Sequence, residues 1–385
     1  MQRTDLINFL PENYKTLCWE HKAMTRHRGI QDEEELLMLS MFYSYGHSLM
    51  EVKNYAKTEF NTTISDVGFM KRFNRCNDWI KHIILEMLGN EVIKYDVPEK
   101  LKDYKVLAVD ASDVRQKGAV QKLFHLHYAV NLFTLSSESF KITPQEQGET
   151  LKNFNFGRNT IVIADRVYAS MTGIEYCLEN QTDFILRIKN KAFNLYDEKG
   201  EIVGLSSILK NVTEQSCDFI LYYKYKNKLK PIRFCAVRKT KKEIEIEKKR
   251  ILRKESKRQI SLSDDTKFTH QYFFVVTSLG KEFTSDEILG LYRLRWQVEM
   301  VFKRYKSILG LGSIPTKTDI SGLVWLNCKM LIALLIEKIL SEVDFPPCTN
   351  SSELMEGDGS SLPFDFNSVL YNRCNKFERF STVNY

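Results

Sequence analysis

The chain has 385 residues, of which 43% are hydrophobic, and this suits a globular protein of two or three domains with ample core. Lys and Arg number 56 against 49 Asp and Glu, so the net charge of +7 favours a polyanionic partner over an acidic one, without proving nucleic-acid binding. The eight cysteines are scattered and form no CxxC pair, which argues against a zinc site or a disulfide framework and favours free thiols in a reducing cytoplasm.

Residues 1–95 are predicted to be helical. The first segment, "MQRTDLINFLPENYK", has no long apolar core, so we do not expect a signal peptide. "DEEELLMLSMFYSYG" has acids in its first turn and a glycine stop at Gly46, and "SLMEVKNYAKTEF" begins at a serine cap. "ISDVGFMKRFNRCNDWIKHIILEML" predicts a further helix that starts at Ser65.

That last predicted helix carries the basic residues Lys71, Arg72 and Arg75. A short helix, a turn and a second, basic helix are compatible with helix-turn-helix DNA binding, in which these cations face outward. A plain helical bundle with a solvated basic face fits the same spacing equally well. Upstream, "TRHRG" is either a further phosphate contact or an ordinary loop.

Residues 96–189 change from helical to strand periodicity. Five short runs rich in Val, Ile and Phe predict strands: "YKVLAVDAS", "FHLHYAVNLFT", "SFKIT", "TIVIAD" and "DFILRIK". "YASMTGIEYCLEN" between the last two predicts a helix. We therefore expect an α/β region with early strands in a meander, followed by a crossover.

Residues 190–284 predict a β-rich segment from "DFILYYKYKN", "PIRFCAVRKT" and "QYFFVVTSL". Between the last two runs, acids and bases alternate in "KTKKEIEIEKKRILRKESKR". This pattern favours a solvated helix laced by ion pairs, although its basic excess leaves a DNA-facing role open.

Residues 285–343 are predicted to be helices, and residues 344–385 a polar, partly flexible tail. The most apolar run, "LVWLNCKMLIALLIEKIL", is interrupted by Asn327, Lys329 and Glu337. A buried helix is therefore expected there rather than a membrane span.

Two aspartates follow apolar strand patterns, Asp110 in "VLAVDASD" and Asp165 in "TIVIAD". Functional groups collect at the carboxyl ends of strands in open α/β sheets, so the two carboxylates can lie side by side if their strands are neighbours. Each aspartate alone is equally typical of a turn or a helix cap. Asp113 competes with Asp110 on spacing, but Asp110 directly ends the apolar run.

A third acid, Glu299, lies in the cation-rich segment "YRLRWQVEMVFKRYK". At about 100° per residue, Glu299 shares one narrow helical stripe with Tyr292, Arg295 and Lys306. A solvated helix with Arg-Glu pairs explains the stripe on its own. Together with Asp110 and Asp165, however, Glu299 would complete a set of hard oxygen ligands for two divalent cations.

The spacing Tyr292, Arg295, Glu299 and Lys306 matches the Tyr-Arg-Glu-Lys signature of bacterial insertion-sequence transposases of the DDE class, which this sequence resembles. The resemblance extends to "AVDASD" around Asp110 and to the segment "IADRVYAS", and it covers roughly residues 20 to 335.

The resemblance implies an α/β fold: a ribonuclease-H-like catalytic core interrupted by a β-rich insertion, with an all-helical N-terminal domain. The 134 positions between Asp165 and Glu299 leave room for that insertion. The resemblance also implies Mg²⁺-dependent transposition, with Mn²⁺ as a substitute for Mg²⁺. Asp110, Asp165 and Glu299 would be the metal ligands. Tyr292, Arg295 and Lys306 would contact phosphates of the transposon end, with Arg166 as a further contact.

The implied partners are double-stranded DNA, namely the terminal inverted repeats and the target, and a second copy of the chain in a synaptic dimer. We expect a bacterial cytoplasmic, nucleoid-associated protein without a membrane partner. A DNA-binding protein without catalysis and a stand-alone Mg²⁺ nuclease remain alternatives.

The sequence departs from its relatives at two places. "VDASD" has Ala111 and Ser112 where relatives often have Gly and Thr. The insertion also lacks the tryptophan that stacks on a flipped base in relatives, so an aromatic residue would have to replace it during hairpin formation; the candidates are Tyr222, Tyr223, Tyr225 and Phe234.

Overall fold

A computed structural model describes residues 6–88, 98–116, 122–133, 136–189, 193–213, 215–295, 310, 313–315 and 318–342. The chain divides into two compact units. The first comprises Met1–Glu91, Asp113–Phe124 and Val301–Tyr385, and the second comprises Val92–Ser112 and His125–Met300.

The elements follow in chain order. The helices are α1 (Tyr14–Glu20), α2 (Glu33–Tyr45), α3 (Leu49–Phe60), α4 (Asp66–Phe73), α5 (Asn77–Met87), α6 (Met171–Glu179), α7 (Leu205–Leu209), α8 (Lys241–Arg258), α9 (Asp264–Thr269), α10 (Ser285–Arg293) and α11 (Asp319–Glu342). The strands are β1 (Lys105–Gln116), β2 (Lys122–Asn131), β3 (Ser137–Pro144), β4 (Thr160–Ala164), β5 (Asp183–Arg187), β6 (Leu195–Tyr196), β7 (Ile202–Val203), β8 (Cys217–Tyr225), β9 (Lys228–Arg238), β10 (Tyr272–Thr277) and β11 (Ser313–Ile314).

Helices α2 and α3 begin and end where their sequences predict. The Asp32 side chain accepts a hydrogen bond from the Glu35 amide at the start of α2, and Gly46 ends that helix with φ of 131°. Ser48 begins α3 with a capping box in which Glu51 is the reciprocal partner. Local hydrogen bonding alone therefore fixes these boundaries.

The single helix predicted from Ser65 is wrong, because the segment forms two helices, α4 and α5, separated by residues 74–76. Ser65 does cap α4, accepting from the Gly68 amide. Phe73 and Trp79 are both fully buried, yet on one continuous helix they would lie roughly 120° apart. The break lets both rings reach the core, and the Asn74 side chain in it accepts a 2.7 Å hydrogen bond from the Ser321 hydroxyl.

Helix α11 is the predicted buried apolar helix. It is long and apolar enough to cross a bilayer, but 78% of that stretch is buried inside the protein. It packs on α2 and α5, and the Asn327 side chain donates a 2.9 Å hydrogen bond to Asn77. Lys329 is only 3% exposed, with its ammonium 4.2 Å from the centre of the Trp325 ring. The polar interruptions of the run thus serve contacts within the first unit.

The strands of the second unit form one continuous mixed sheet with the order β3-β2-β1-β4-β5-β10-β9-β8-β6-β7. The meander of β1 to β3 and the crossover through α6 confirm the prediction, and β1, β4 and β5 are parallel neighbours. The strands of the predicted insertion extend the same sheet, since β10 pairs antiparallel with both β5 and β9. The sequence did not indicate that continuity.

One apolar core runs under both halves of this sheet. It includes Val162 and Leu186 of the parallel strands and Phe234 and Val276 of the antiparallel ones, all essentially inaccessible to water. Burial of this shared core stabilises both halves together.

Candidate active site and cationic cleft

Strand register places Asp110 and Asp165 at equivalent positions of adjacent strands. Strands β1 and β4 pair in parallel from Lys105 opposite Thr160 to Ala108 opposite Ile163. Continued by two residues, this register sets Asp110 beside Asp165, on the same face of strands that lie about 4.8 Å apart. The structure therefore brings these two predicted residues together.

The same register adds a cation to this pair. Strands β4 and β5 pair from Ile161 opposite Asp183 to Ala164 opposite Leu186, so Arg187 is the next equivalent position after Asp165. We call Asp110, Asp165 and Arg187 the sheet row. Two carboxylates and a guanidinium on three neighbouring strands can bind a cation and an anion side by side.

Asp110 does not end its strand, contrary to the prediction, because β1 continues to Gln116. The pairing with β4 ends near Asp110 only because β4 itself stops at Ala164. Asp165 does follow its strand, and its side chain accepts a 2.8 Å hydrogen bond from the Val167 amide. Ala111 lies within β1, so its backbone is extended there and forms no turn that would require glycine.

The electrostatic setting of Asp110 is unfavourable for a bare carboxylate. The pKa of Asp110 is raised to about 6, mainly by burial, and the negative charges of Asp165 and Glu149 also raise it. The Ala111 amide and the Arg295 guanidinium lower this pKa and partly offset the rise. The Ala111 amide donates to Asp110 Oδ1 at 2.9 Å. Negative charge thus accumulates around Asp110 and Asp165.

Sequence reasoning missed two members of this cluster, Glu149 and Tyr168. Tyr168 is 1% exposed, and its hydroxyl has no hydrogen-bond partner within the described part of the chain. Burial is the main reason that the pKa of Tyr168 is raised, followed by the charges of Glu149, Asp110 and Asp165. Glu149 lies in a loop without periodicity, so no local signal marks it, whereas Tyr168 lies within the family-like segment "IADRVYAS".

A cleft of about 380 Å³ opens beside Asp165, and its lining is mostly basic. We call it the cationic cleft; it is lined by Asp165, Arg166, Arg187, Glu247, Arg250, Ile251, Lys254, Leu262, His270, Tyr292 and Arg295. Five Arg and Lys residues face two acids there, so the cleft attracts an anion.

Three residues predicted to contact phosphates line this cleft. Burial, followed by the charge of Arg187, lowers the pKa of Arg166, and the buried Nε of Arg166 has no hydrogen-bond partner among the described residues. Tyr292 is 5% exposed and packs against Phe273 with ring centres 5.4 Å apart. The Arg295 guanidinium lies 5.9 Å from the centre of the Tyr292 ring. Tyr292 thus helps to position Arg295 at the cleft.

The remaining predicted metal ligand and phosphate contact, Glu299 and Lys306, lie outside the described residues.

In the first unit, Lys71 and Arg75 are exposed, as predicted, whereas Arg72 is half-buried. The Arg72 guanidinium donates to the carbonyls of Arg26 and Arg28, so it anchors the "TRHRG" loop.

Of the aromatic residues considered for base stacking, Tyr223 and Phe234 are in the core, at 1% and 0% exposure. Tyr223 also donates a 2.7 Å hydrogen bond to Glu175. Tyr222 and Tyr225 keep part of their rings accessible.

Comparison with known proteins finds transposases. The family model described as "Transposase DDE domain" matches residues 101–335. The putative transposase InsL of insertion sequence element IS186A, from Escherichia coli strain K12, is 27% identical over 353 residues, covering 89% of this chain and 95% of the relative. The transposase of element IS421 from Escherichia coli is 27% identical over 354 residues with the same coverage. The cryo-EM structure of a piggyBac transposase synaptic complex with hairpin DNA aligns over 99% of this chain and 80% of that one, with a TM-score of 0.39 and 9% identity, which is too low to support an argument.

Proposed function

Because the chain belongs to the DDE transposase family, we propose that it cuts an insertion sequence from DNA and joins the 3′ ends to a target, using Asp110 and Asp165 as catalytic carboxylates. The observation that carries the residue assignment is the shared register of these two aspartates on β1 and β4. The α/β sheet with parallel β1, β4 and β5 is consistent with a ribonuclease-H-like core, into which the strands β6 to β10 would be inserted.

The donor set around Asp110 fits a hard divalent cation such as Mg²⁺, with Mn²⁺ as a substitute. Asp110 and Asp165 offer carboxylate oxygens, and burial raises the pKa of Asp110, so a bound cation would compensate a charge that is costly there. Glu299, outside the described residues, would be the third ligand by its place in the signature. When bound, two such cations activate the attacking hydroxyl and stabilise the leaving oxygen in phosphodiester cleavage.

The basic residues of the cleft would hold the DNA strand for this reaction. Arg166, Arg187 and Arg295 line the cleft that also contains Asp165, so a phosphate bound by their guanidinium groups would lie next to the catalytic carboxylate. Tyr292 would support Arg295, and Lys306 would add a further phosphate contact by its position in the signature.

We assign recognition of the element ends to residues 1–95. The exposed side chains of Lys71 and Arg75 would contact phosphates of the DNA backbone. Deletion of this region should then remove sequence-specific end binding. Two copies would act together on the two ends, in a nucleoid-associated complex. Hairpin formation would require Tyr222 or Tyr225 to stack on the flipped base, because the other two candidates are buried.

The test compares the wild-type protein with Asp165→Asn on duplex DNA carrying the element's terminal repeat. We expect the wild type to nick and join the 3′ ends with Mg²⁺ or Mn²⁺, and the variant to bind the same DNA without cleaving it. Cleavage by Asp165→Asn at the wild-type rate would refute the assignment. Cleavage without 3′-end joining by the wild type would instead indicate a nuclease, and binding without cleavage a non-catalytic DNA-binding protein.

A further inference from the structure

Helix α8 is not solvated all round, because one apolar stripe of the helix is buried. Ile244 and Ile251 are buried, and Thr240 forms a capping box with Glu243 at the start. At the other end the Glu255 carboxylate accepts a 2.7 Å hydrogen bond from the Leu262 amide. The buried stripe marks the side of the helix that faces the protein, and Ile251 of that stripe lines the cationic cleft.

Four residues at helical spacing form the side of α8 that lines the cleft, which we call the α8 face: Glu247, Arg250, Ile251 and Lys254. Arg250 and Lys254 are exposed, so their charged ends remain available to a ligand. Arg166 and Arg187, which lie at the ends of β4 and β5, line the same cleft. Basic residues from α8 and from the sheet therefore contribute to one cleft.

The acids of α8 are already engaged by other groups. The helix carries nine basic and four acidic residues, and each acid has a partner: Glu243 with the Thr240 amide, Glu245 with Lys248, Glu247 with Lys239, and Glu255 with the Leu262 amide. The helix thus keeps a positive excess after internal pairing, which favours the binding of an external anion.

Glu247 is the exception on the α8 face, because it is an acid inside a basic cleft. Its carboxylate lies 3.5 Å from Lys239 Nζ, 3.6 Å from His270 Nδ1 and 3.8 Å from Arg250. Lys239 also donates a 2.9 Å hydrogen bond to the His270 carbonyl. Glu247 therefore gathers cations at the cleft, and its own charge opposes any anion that enters.

We infer that the α8 face is a second DNA-backbone contact, in which Arg250 and Lys254 bind a phosphate of the duplex next to the scissile one. This inference rests on the proposed transposase function. A volume of about 380 Å³ lies at the small end of the 300–1,000 Å³ range of ligand pockets, so the cleft admits one sugar-phosphate unit of a strand and not a whole duplex. Several basic side chains around one cleft suit a phosphate, which accepts hydrogen bonds from several directions.

The experiment measures binding of a fluorescein-labelled duplex carrying the element's end by the full-length protein across a salt series. The double variant Arg250→Ala/Lys254→Ala should lower the log–log salt slope by about 0.9, since the loss of one neutralised duplex phosphate removes about that much. Both side chains are exposed, so the variant keeps the buried stripe that docks the helix.

Two further variants separate a specific contact from a change in net charge. Lys249→Ala removes one charge from the same helix at a position about 200° round from Glu247, and should leave the slope unchanged. Glu247→Gln should tighten binding and steepen the slope, because it removes the repelling charge from the cleft. An unchanged slope in the double variant, or an equal loss per charge in Lys249→Ala, would overturn the inference.

The wild-type protein distinguishes this inference from the proposed function. If the wild type binds and cleaves the end while the double variant behaves identically, the α8 contact alone is wrong. If the wild type neither binds nor cleaves, the proposed function fails as well, and the α8 inference fails with it.

Discussion

The sheet row and the α8 face adjoin the same cleft but are positioned by different means. Asp110 and Asp165 are placed by the register of two parallel strands, with short side chains that leave them little freedom. Arg250 and Lys254 lie on a helix, and their long, exposed side chains line the cleft. Strand register restricts the position of the two carboxylates, whereas the exposed side chains of Arg250 and Lys254 keep many rotamers.

Burial separates the two regions further. The charge of Asp110 is costly in its buried site, as its raised pKa shows, whereas water screens the charge of Arg250. A bound cation would relieve the first region, and a bound phosphate would relieve the second. The difference predicts that mutations in the sheet row change the rate of cleavage, and that mutations in the α8 face change the affinity for DNA.

The largest expected effect is on catalysis. Asp110→Asn keeps the size of the side chain but removes a charged metal ligand, and even residues that only support metal ligands typically contribute 10–100-fold. We therefore expect single-turnover cleavage of a pre-bound end to fall by more than about 100-fold, with the dissociation constant for DNA unchanged. Arg250→Ala should show the converse pattern in the same assay. Equal changes of both quantities in Asp110→Asn or in Arg250→Ala would break the comparison.

Asp110→Asn should stabilise the fold although it removes cleavage activity. Because burial raises the pKa of Asp110 from 3.8 to about 6, the folded protein binds more protons than the unfolded chain between these values, and its stability rises as pH falls through that window. At pH 7 the buried charge costs up to about 3 kcal/mol, so Asp110→Asn should increase the free energy of unfolding by up to that amount.

Urea unfolding in a chelating buffer measures this gain. The difference in the free energy of unfolding between Asp110→Asn and the wild type should be present at pH 7. It should vanish below about pH 4, where the Asp110 carboxyl is protonated and neutral like the asparagine amide. A gain that persists at low pH would show that packing, and not charge, distinguishes the two side chains.

Arg187 links the two regions, because it is part of the sheet row and also lines the cleft that the α8 face borders. Its guanidinium lies 5.6 Å from the centre of the Phe273 ring, which restrains its orientation. Arg187→Ala should weaken end binding by about tenfold and slow cleavage as well, since it removes a phosphate contact beside Asp165. Arg187→Lys should restore the salt slope but not the full rate, because lysine lacks the planar fork. Full recovery of both by lysine would mean that only the charge matters.

The features that the sequence predicted are those with local causes. The caps Ser48 and Ser65 were readable because each bonds to an amide three residues along the chain. The strands of the core were readable from their apolar runs. The break between α4 and α5 was not, because burial of Phe73 and Trp79 in the folded unit causes it.

The site was only partly predictable for the same reason. Asp110 and Asp165 were found because both follow apolar runs, but Arg187 enters the row only through the register of β4 and β5. Glu149 reaches Asp110 from a loop without periodicity. The alternating charges of α8 predicted a helix correctly, yet they gave no sign of which side faces the cleft, since that depends on the burial of Ile251 and its neighbours.

The smallest expected effect concerns Arg295, which lies at the junction of the two regions. It lowers the pKa of Asp110 through its charge and lies over the Tyr292 ring. If it binds a phosphate, Arg295→Gln should reduce the salt slope of end binding by about 0.9 and leave the fold intact. If it only steadies the neighbouring helix, the slope should stay unchanged and stability should fall by about 0.5 kcal/mol at most. The measurement compares the salt slope of end binding for Arg295→Gln with that for Lys306→Ala. The signature implies that Lys306 is a phosphate contact. Equal losses would place both cations on the DNA backbone, whereas a loss in Lys306→Ala alone would assign Arg295 to the electrostatic support of Asp110.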